Sequence, residues 1–383
     1  TPEQCGLGAS TKADAQRGGE SIARSTLASF LEVRGVDFQK AMSSPCTAFD
    51  SCSRLSPYLA WGAISMRCVA QAAAARSREV RALNDAKSAV DPRWSASLRA
   101  FQGRLRWHCH FMQKLEDEPR IEFENFSRVY DDLRDAADVA HGVGATRMAA
   151  WQHGETGYPM VDACMRALHR CGWINFRMRA MLVSFASYHL WLHWRPTSVF
   201  LAQHFLDFEP GIHFSQFQMQ SGTTGINTVR IYSPAKQVLD HDPQGEFIRR
   251  HVPALERVPA RWLAEPHLMP ASIQREASCV IGRDYPAPIV EHALAYREAR
   301  ERIGALRRRP EARNEADAVQ AKHGSRRSGL PQSAGPGGRA RAPRVAGTSR
   351  SDRSKAAPVS DRSGQASLWD EGADADSTRE GNA

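Results

Sequence analysis

Nowhere does the chain carry an apolar run approaching the roughly eighteen residues that a membrane-crossing helix needs, so no membrane partner is expected. Its first thirty residues lack a charged head followed by an apolar core. No secretory signal is read there, and the expected compartment is the cytoplasm. The chain opens on Thr1 instead of Met, as a fragment would. Cysteine is present but unorganised: the eight cysteines contain no C-x-x-C pair. That spacing excludes a zinc knuckle, and a large chain without a secretory signal needs no disulfide framework. The thiols are read as reduced core or cap residues, and no metal is expected. Alternating β-branched runs are nearly missing, as are a G-x-G-x-x-G turn and a G-x-S-x-G elbow. These absences argue against a dinucleotide-binding β-α-β unit and against a nucleophile-elbow hydrolase.

What the chain does have is positive charge and helical periodicity. Among 383 residues, 51 Lys and Arg face 42 Asp and Glu, a formal net charge of +9. Such a balance favours a polyanionic partner, nucleic acid first. The alternative is that a basic tail supplies the excess and the folded part is near neutral. Apolar residues recur at three and four, as in Ile22, Leu27, Phe30 and Leu31, then Met181, Leu182, Phe185 and Leu192. Gly and Pro interrupt at intervals that suit helices of ordinary length. The expected fold is all-α, over residues 18–306. From 307 to 383 the composition changes. Segment 322–362 is rich in Lys, Arg, Ser, Gly, Ala and Pro, with only Asp352 and Asp361 as acids, and the final residues turn acidic. This tail cannot bury enough apolar area to offset its ordering entropy, so disorder is expected.

Four segments could carry chemistry. In Cys52-Ser53-Arg54-Leu55-Ser56-Pro57, hydroxyls, a guanidinium and free N–H groups at a helix start make an anion site, or else Ser53 or Ser56 is a simple N-cap. In Trp107-His108-Cys109-His110-Phe111, two histidines at i and i+2 do not share a helix face, which disfavours a metal pair. Trp107 is a stacking platform or a core residue. Residues 154–179, GETGYPMVDACMRALHRCGWINFRMR, run from a Gly-x-Thr-Gly-Tyr-Pro turn into an amphipathic helix. A Gly-Trp turn and a second helix with Arg177 and Arg179 follow. A buried Arg179 needs a carboxylate, and Asp207, then Glu209, are the candidates; an ordinary helix–helix ion pair is the other reading. In the tail, Gln365-Ala366-Ser367-Leu368-Trp369 is an apolar island.

The order and spacing of these segments resemble the DNA photolyase and cryptochrome family, over about residues 18–300. Further matches are Arg230-Ile231-Tyr232-Ser233-Pro234, Gly245–Arg250 and Tyr285–Val290. The resemblance implies the large helical FAD-binding domain, with no α/β antenna domain in this chain. It implies FAD as cofactor. The Ser53–Ser56 stretch, with Cys52, would hold the diphosphate. Phe38, Phe101, Arg104, His108, Trp173, Asn175, Arg179, Asp207, Glu209 and His213 would complete the cofactor site. Trp107, Arg104, His108 and Phe217 would meet the lesion in damaged DNA. The tail peptide is similar to a bacterial sliding-clamp-binding motif.

Several positions depart from the family pattern. Photolyases usually carry an arginine after the stacking tryptophan and an acid three residues before it; here those are His108 and Arg104. The usual Trp-x-Trp is Ser215-x-Phe217, so the tryptophan that passes an electron to the flavin is missing. The middle tryptophan of that relay matches Trp194, and His141 is nearest to the outermost. Trp191, Trp194 and Trp173 are the electron-transfer candidates, with Tyr188 beside them. The (6-4) branch carries histidine in the turn after Gly-Trp, where this chain has Asn175 and Phe176, and the four cysteines of the iron–sulfur branch are not apparent. The resemblance implies an enzyme, a light-driven DNA photolyase splitting pyrimidine dimers. The departures favour a blue-light receptor of the cryptochrome type that binds FAD without repair. A colourless helical DNA-binding module is the third reading.

Overall fold

The computed structural model describes residue 4 and residues 12–324. The tail disorder expected beyond 324 and the Gln365–Trp369 peptide lie outside the described residues. Among these residues the architecture is all-α, with one isolated bridge between Ile281 and Tyr285. No helix among them is long and apolar enough to cross a membrane.

Proline starts and glycine stops set many helix limits. Pro159 opens the Pro159–Cys171 helix, where its missing N–H costs nothing, and Gly172 closes it at φ 70. Pro210 and Gly222 do the same for Pro210–Ser221, with Gly222 at φ 80. Pro159–Cys171 is a central helix, buried on most of its surface and open to solvent only along Arg166, His169 and Arg170. Asp162 on it ties down the preceding turn. Its Oδ1 accepts from the Thr156 N–H at 2.8 Å and the Thr156 hydroxyl at 2.6 Å. Its Oδ2 accepts from the Gly157 N–H at 3.1 Å and the Tyr285 hydroxyl at 2.6 Å. Gly157 is required here: at φ 78, a Cβ would meet the Ala287 carbonyl oxygen at 2.4 Å.

Two large apolar cores result, with smaller clusters beside them. One unites Glu20–Glu32, Met66–Asp85 and the first half of Arg93–Asp117 through Phe30, Val69, Leu98 and Phe101. The other gathers around Pro159–Cys171, Phe176–Ser184 and Trp194–His204, closed by Phe247, Ile248 and Leu263. Arg93–Asp117 packs along Pro210–Ser221. Their close approach needs Gly211, whose Cβ would lie 2.9 Å from the Phe111 carbonyl oxygen. Buried Gln218 fastens the irregular 118–133 segment to the same pair. Its Nε2 donates to the Ile121 and Glu124 carbonyls at 2.8 Å, and its Oε1 accepts from the Phe126 N–H at 2.7 Å.

One expected boundary is corrected. The composition predicts disorder from 307 onward, but Pro310–His323 is a helix. Val319 packs with Ile121 and Phe126, and Glu315 accepts from the Ser127 hydroxyl at 2.7 Å and the Val129 N–H at 3.2 Å. Its few apolar residues suffice because a groove about 190 residues earlier in the chain is ready to receive them.

Candidate functional site

A cavity of about 340 Å³ opens between the two cores, within the range of small-molecule sites. One wall is the loop before the Ser56–Ala60 helix. Neither serine caps that helix, and Leu55 holds the cap position. Arg54 sits at φ 60, a left-handed conformation costing a non-glycine residue about 1 kcal/mol. Gln16 holds it there: Gln16 Nε2 donates to the Arg54 carbonyl at 2.8 Å, and Gln16 Oε1 accepts from Arg54 Nη2 at 3.0 Å. The guanidinium lies against the rings of both Phe49 and Trp173, 4.0 and 3.9 Å from their centroids. Burial lowers its pKa to about 10, so it stays charged at neutral pH. Its Nη1 is buried without a hydrogen-bond partner. Arg34 braces the loop by donating to the Asp50 and Cys52 carbonyls at 2.9 and 2.7 Å.

The facing wall comes from the Gly-Trp turn and the helix after it. Asn175 Nδ2 donates to the Met42 and Ser43 carbonyls at 3.1 and 2.7 Å, which leaves its buried Oδ1 unsatisfied. Arg179 donates through Nη2 to Asp207 Oδ2 at 2.8 Å and through Nε to the Ile174 carbonyl at 2.8 Å. Asp207 Oδ1 has no partner, and neither does Arg177 Nε. Arg104 reaches only the Met42 sulfur, at 3.5 Å, and lies 5.5 Å from the Phe176 ring centroid. His213 donates to the Ser198 carbonyl at 2.8 Å, and burial lowers its pKa to about 4, so it is neutral. The lining therefore carries Arg54, Arg104, Arg177 and Arg179 against one carboxylate, Asp207. Gln216 Oε1 and His108 Nδ1 are further buried polar atoms without partners. Unmatched polar groups among apolar rings fit a ligand that is part anion and part aromatic. A flavin with a diphosphate is such a ligand.

Every residue expected at the cofactor or the lesion lines this cavity, with one exception. Glu209 is outside it. Pro210 starts a helix directly after Glu209, whose carbonyl receives the His213 N–H at 2.8 Å, and Asp207 is left as the carboxylate at Arg179. The three tryptophans differ. Trp173 lines the cavity beneath Arg54. Trp191 lies outside it, flanked by the guanidiniums of Arg134 and Arg302 at 4.5 and 4.8 Å. Trp194, also outside, is buried and donates its Nε1–H to Asn125 Oδ1 at 2.7 Å. It stacks on His193, which burial keeps neutral with a pKa near 4. Cations beside a ring oppose loss of an electron, so Trp194 has the most favourable surroundings for oxidation. His141 is exposed at a helix start. Sequence reading passed over Gln16, Arg34, Asn125 and Tyr232. The first three act through contacts with residues distant in sequence and carry no local signal. Tyr232 stood inside a matched segment.

Residues 101–305 match the family described as the FAD binding domain of DNA photolyase. A deoxyribodipyrimidine photo-lyase of Alkalihalophilus pseudofirmus is 30% identical over 64% of this chain and 48% of its own length. Cryptochrome-2 of Arabidopsis thaliana is 31% identical over 71% of this chain and 43% of its own. Among solved structures, a bacterial class III photolyase from Agrobacterium tumefaciens superposes with a TM-score of 0.66 at 26% identity, covering 76% of this chain and 56% of that one. The chain thus spans about half the length of the curated relatives it matches.

Proposed function

This chain belongs to the photolyase and cryptochrome family as an FAD-binding domain, and we propose that it uses the flavin for light-driven repair of pyrimidine dimers in DNA. The observation that carries this reading is the cationic cavity, with its unmatched Arg54, Asn175 and Asp207 atoms among apolar rings. Reduced FAD, when bound, supplies the photoexcited electron that splits the dimer and then takes it back. The chain's own residues bind and position. Ser53 and Arg54 would hold the diphosphate. Arg179, fixed by Asp207 and the Ile174 carbonyl, would set a cation against the negative charge of the ring. Asn175 Oδ1 would accept a hydrogen bond from it. Trp107 would stack on the base that leaves the duplex, a contact worth roughly 1–3 kcal/mol against a flipping cost of a few. Trp194 is the residue we assign to resupply electrons.

Arg104 favours a second reading, a blue-light receptor without repair. It stands where the notional lesion would meet an acid, and no carboxylate accompanies it among the described residues. One experiment separates the two. The absorption spectrum of the purified protein is recorded, and dimer-containing DNA is then illuminated with it. A flavin band with light-dependent loss of dimers supports repair. A flavin band without repair supports the receptor. No flavin band after reconstitution with FAD sinks both. Arg179→Ala is expected to lose the flavin, because Asp207 is left buried and unpaired; normal FAD content in that variant would remove the pair from the site.

A further inference from the structure

Next to the cavity, beyond the Trp107 ring, lies a smaller pocket of about 260 Å³. His110 and Lys114 of the Arg93–Asp117 helix line it, facing Lys322 and His323 from the Pro310–His323 helix. The contact between the Trp107 and His110 rings, 5.2 Å between centroids, joins the two sites. Lys114 is only 7% exposed. Its ammonium lies 5.3 and 5.8 Å from the ring centroids of Phe111 and Phe126, and among the described residues no carboxylate pairs with it. Burial lowers its pKa to about 8, which leaves it mostly charged at neutral pH. His110 Nε2 is buried without a hydrogen-bond partner.

The nearby acids do not answer this demand. Glu118 is engaged by Arg120, by His323, and by Lys322 at 2.9 Å. Asp117, which also lines the pocket, is exposed to solvent, so its charge is screened. The pocket thus presents the ammonium of a largely buried lysine, without a carboxylate partner among the described residues, beside an unpartnered imidazole nitrogen. A buried charge without a counter-charge is costly, and an oxyanion removes that cost by accepting from both groups.

We infer that this pocket binds a phosphate oxyanion, and that on DNA it takes a backbone phosphate of the strand whose base enters past Trp107. The DNA assignment rests on the repair reading above; the oxyanion site does not. The test uses the full chain loaded with FAD, so that the arginine cavity is filled. Lys114→Met keeps the stem between Phe111 and Phe126 and removes the charge. Inorganic phosphate is titrated first, by calorimetry. Wild type should bind it, and Lys114→Met should bind about tenfold more weakly. His110→Ala, at a half-buried position, repeats the comparison should Lys114→Met fail to fold. A dimer-containing oligonucleotide is titrated second. Lys114→Met should weaken binding about tenfold and reduce the slope of log affinity against log salt by about 1. A neutral methylphosphonate beside the dimer should cause the same loss in wild type and no further loss in Lys114→Met. Equal phosphate binding by wild type and both variants overturns the oxyanion site. A difference with free phosphate and none with the oligonucleotide overturns the backbone assignment and leaves free phosphate as ligand. Phosphate binding by wild type without oligonucleotide binding supports the pocket and counts against the repair reading.

Discussion

Among the buried carboxylates of the described residues, Asp162 and Asp207 differ most usefully in their surroundings. Asp162, in the turn region, is fully buried, and its oxygens receive two backbone N–H groups and two hydroxyls. Asp207, in the cavity wall, has Arg179 on one oxygen and nothing on the other. A carboxylate whose acceptor capacity is met by its own fold holds that fold together. One left half-met at the edge of a cavity has capacity to offer a ligand. Burial alone does not distinguish the two; an unsatisfied atom that faces a cavity does. The same criterion marks Arg54 and Asn175, two other polar side chains that line the cavity with demand left over.

The largest expected effect falls on the turn. Asp162→Asn leaves at least one of the four donors unmet and should cost about 3 kcal/mol of stability, measured by urea denaturation. Saturating FAD should still raise its Tm by as much as it raises that of wild type. Loss of that increment would break the comparison, because the turn would then be part of the site. Arg179→Ala should behave in the opposite way. At FAD a hundredfold above the wild-type Kd, wild type gains about 2.7 kcal/mol, and the variant should gain almost none. An increment equal to wild type would mean that the half-met Asp207 signals nothing about the ligand.

The electron route sharpens the same point with rings in place of carboxylates. Trp173 and Trp191 each lie against guanidinium cations, whereas Trp194 has an amide oxygen and a neutral imidazole. Of the three Trp→Phe variants, Trp194→Phe should slow flavin photoreduction most, as read by absorbance under blue light. An equal or greater loss in Trp191→Phe would show that the cations do not govern the route.

Acid should act on the cavity wall through His213. Its pKa is lowered from the ordinary 6.5 to about 4, chiefly by burial. The unfolded chain takes up a proton as the pH drops through 6.5, and the folded chain does not until about 4. The stability contributed by the neutral ring is therefore complete above about 6.5 and is lost across that window, at no more than about 1.4 kcal/mol per pH unit. His213→Gln should flatten the fall of Tm between pH 6.5 and 4. An unchanged slope would mean that other buried histidines, such as His189, whose pKa is near 3, carry the acid response.

Much of this was legible in the chain. Pro159, Gly172, Pro210 and Gly222 are punctuation with a mechanism; they bound a central helix, Pro159–Cys171, and the cavity-lining helix Pro210–Ser221. The Ser53–Ser56 and Trp173–Arg179 segments named the two walls because both are contiguous in sequence. What could not be read were partners chosen by tertiary packing. Gln16 meets Arg54 across 38 positions, and Asn125 meets Trp194 across 69. Asp207 stood first and Glu209 second as the carboxylate for Arg179, and the ion pair is with Asp207. The Pro310–His323 helix is a different kind of miss. Pro310 at the start and Ala312, Ala316, Val319 and His323 at helical spacing were visible, but the basic composition around them outweighed that pattern.

That helix supplies the smallest test. Glu315 is a further carboxylate, only half buried, whose Oε2 receives the Ser127 hydroxyl and the Val129 N–H. By the rule drawn from Asp162, a satisfied carboxylate is structural. By its exposure, water can replace most of what it provides. Glu315→Ala should therefore cost about 1 kcal/mol, seen as a small drop in the urea midpoint, and leave FAD affinity unchanged. Because the same helix carries Lys322 and His323, the variant should also loosen the small pocket and weaken phosphate binding slightly. A loss near that of Asp162→Asn would show that the 310–323 helix belongs to the cooperative core instead of resting on it, and the division between fold-holding and ligand-seeking carboxylates would have to be drawn by position in the fold as well as by satisfied atoms.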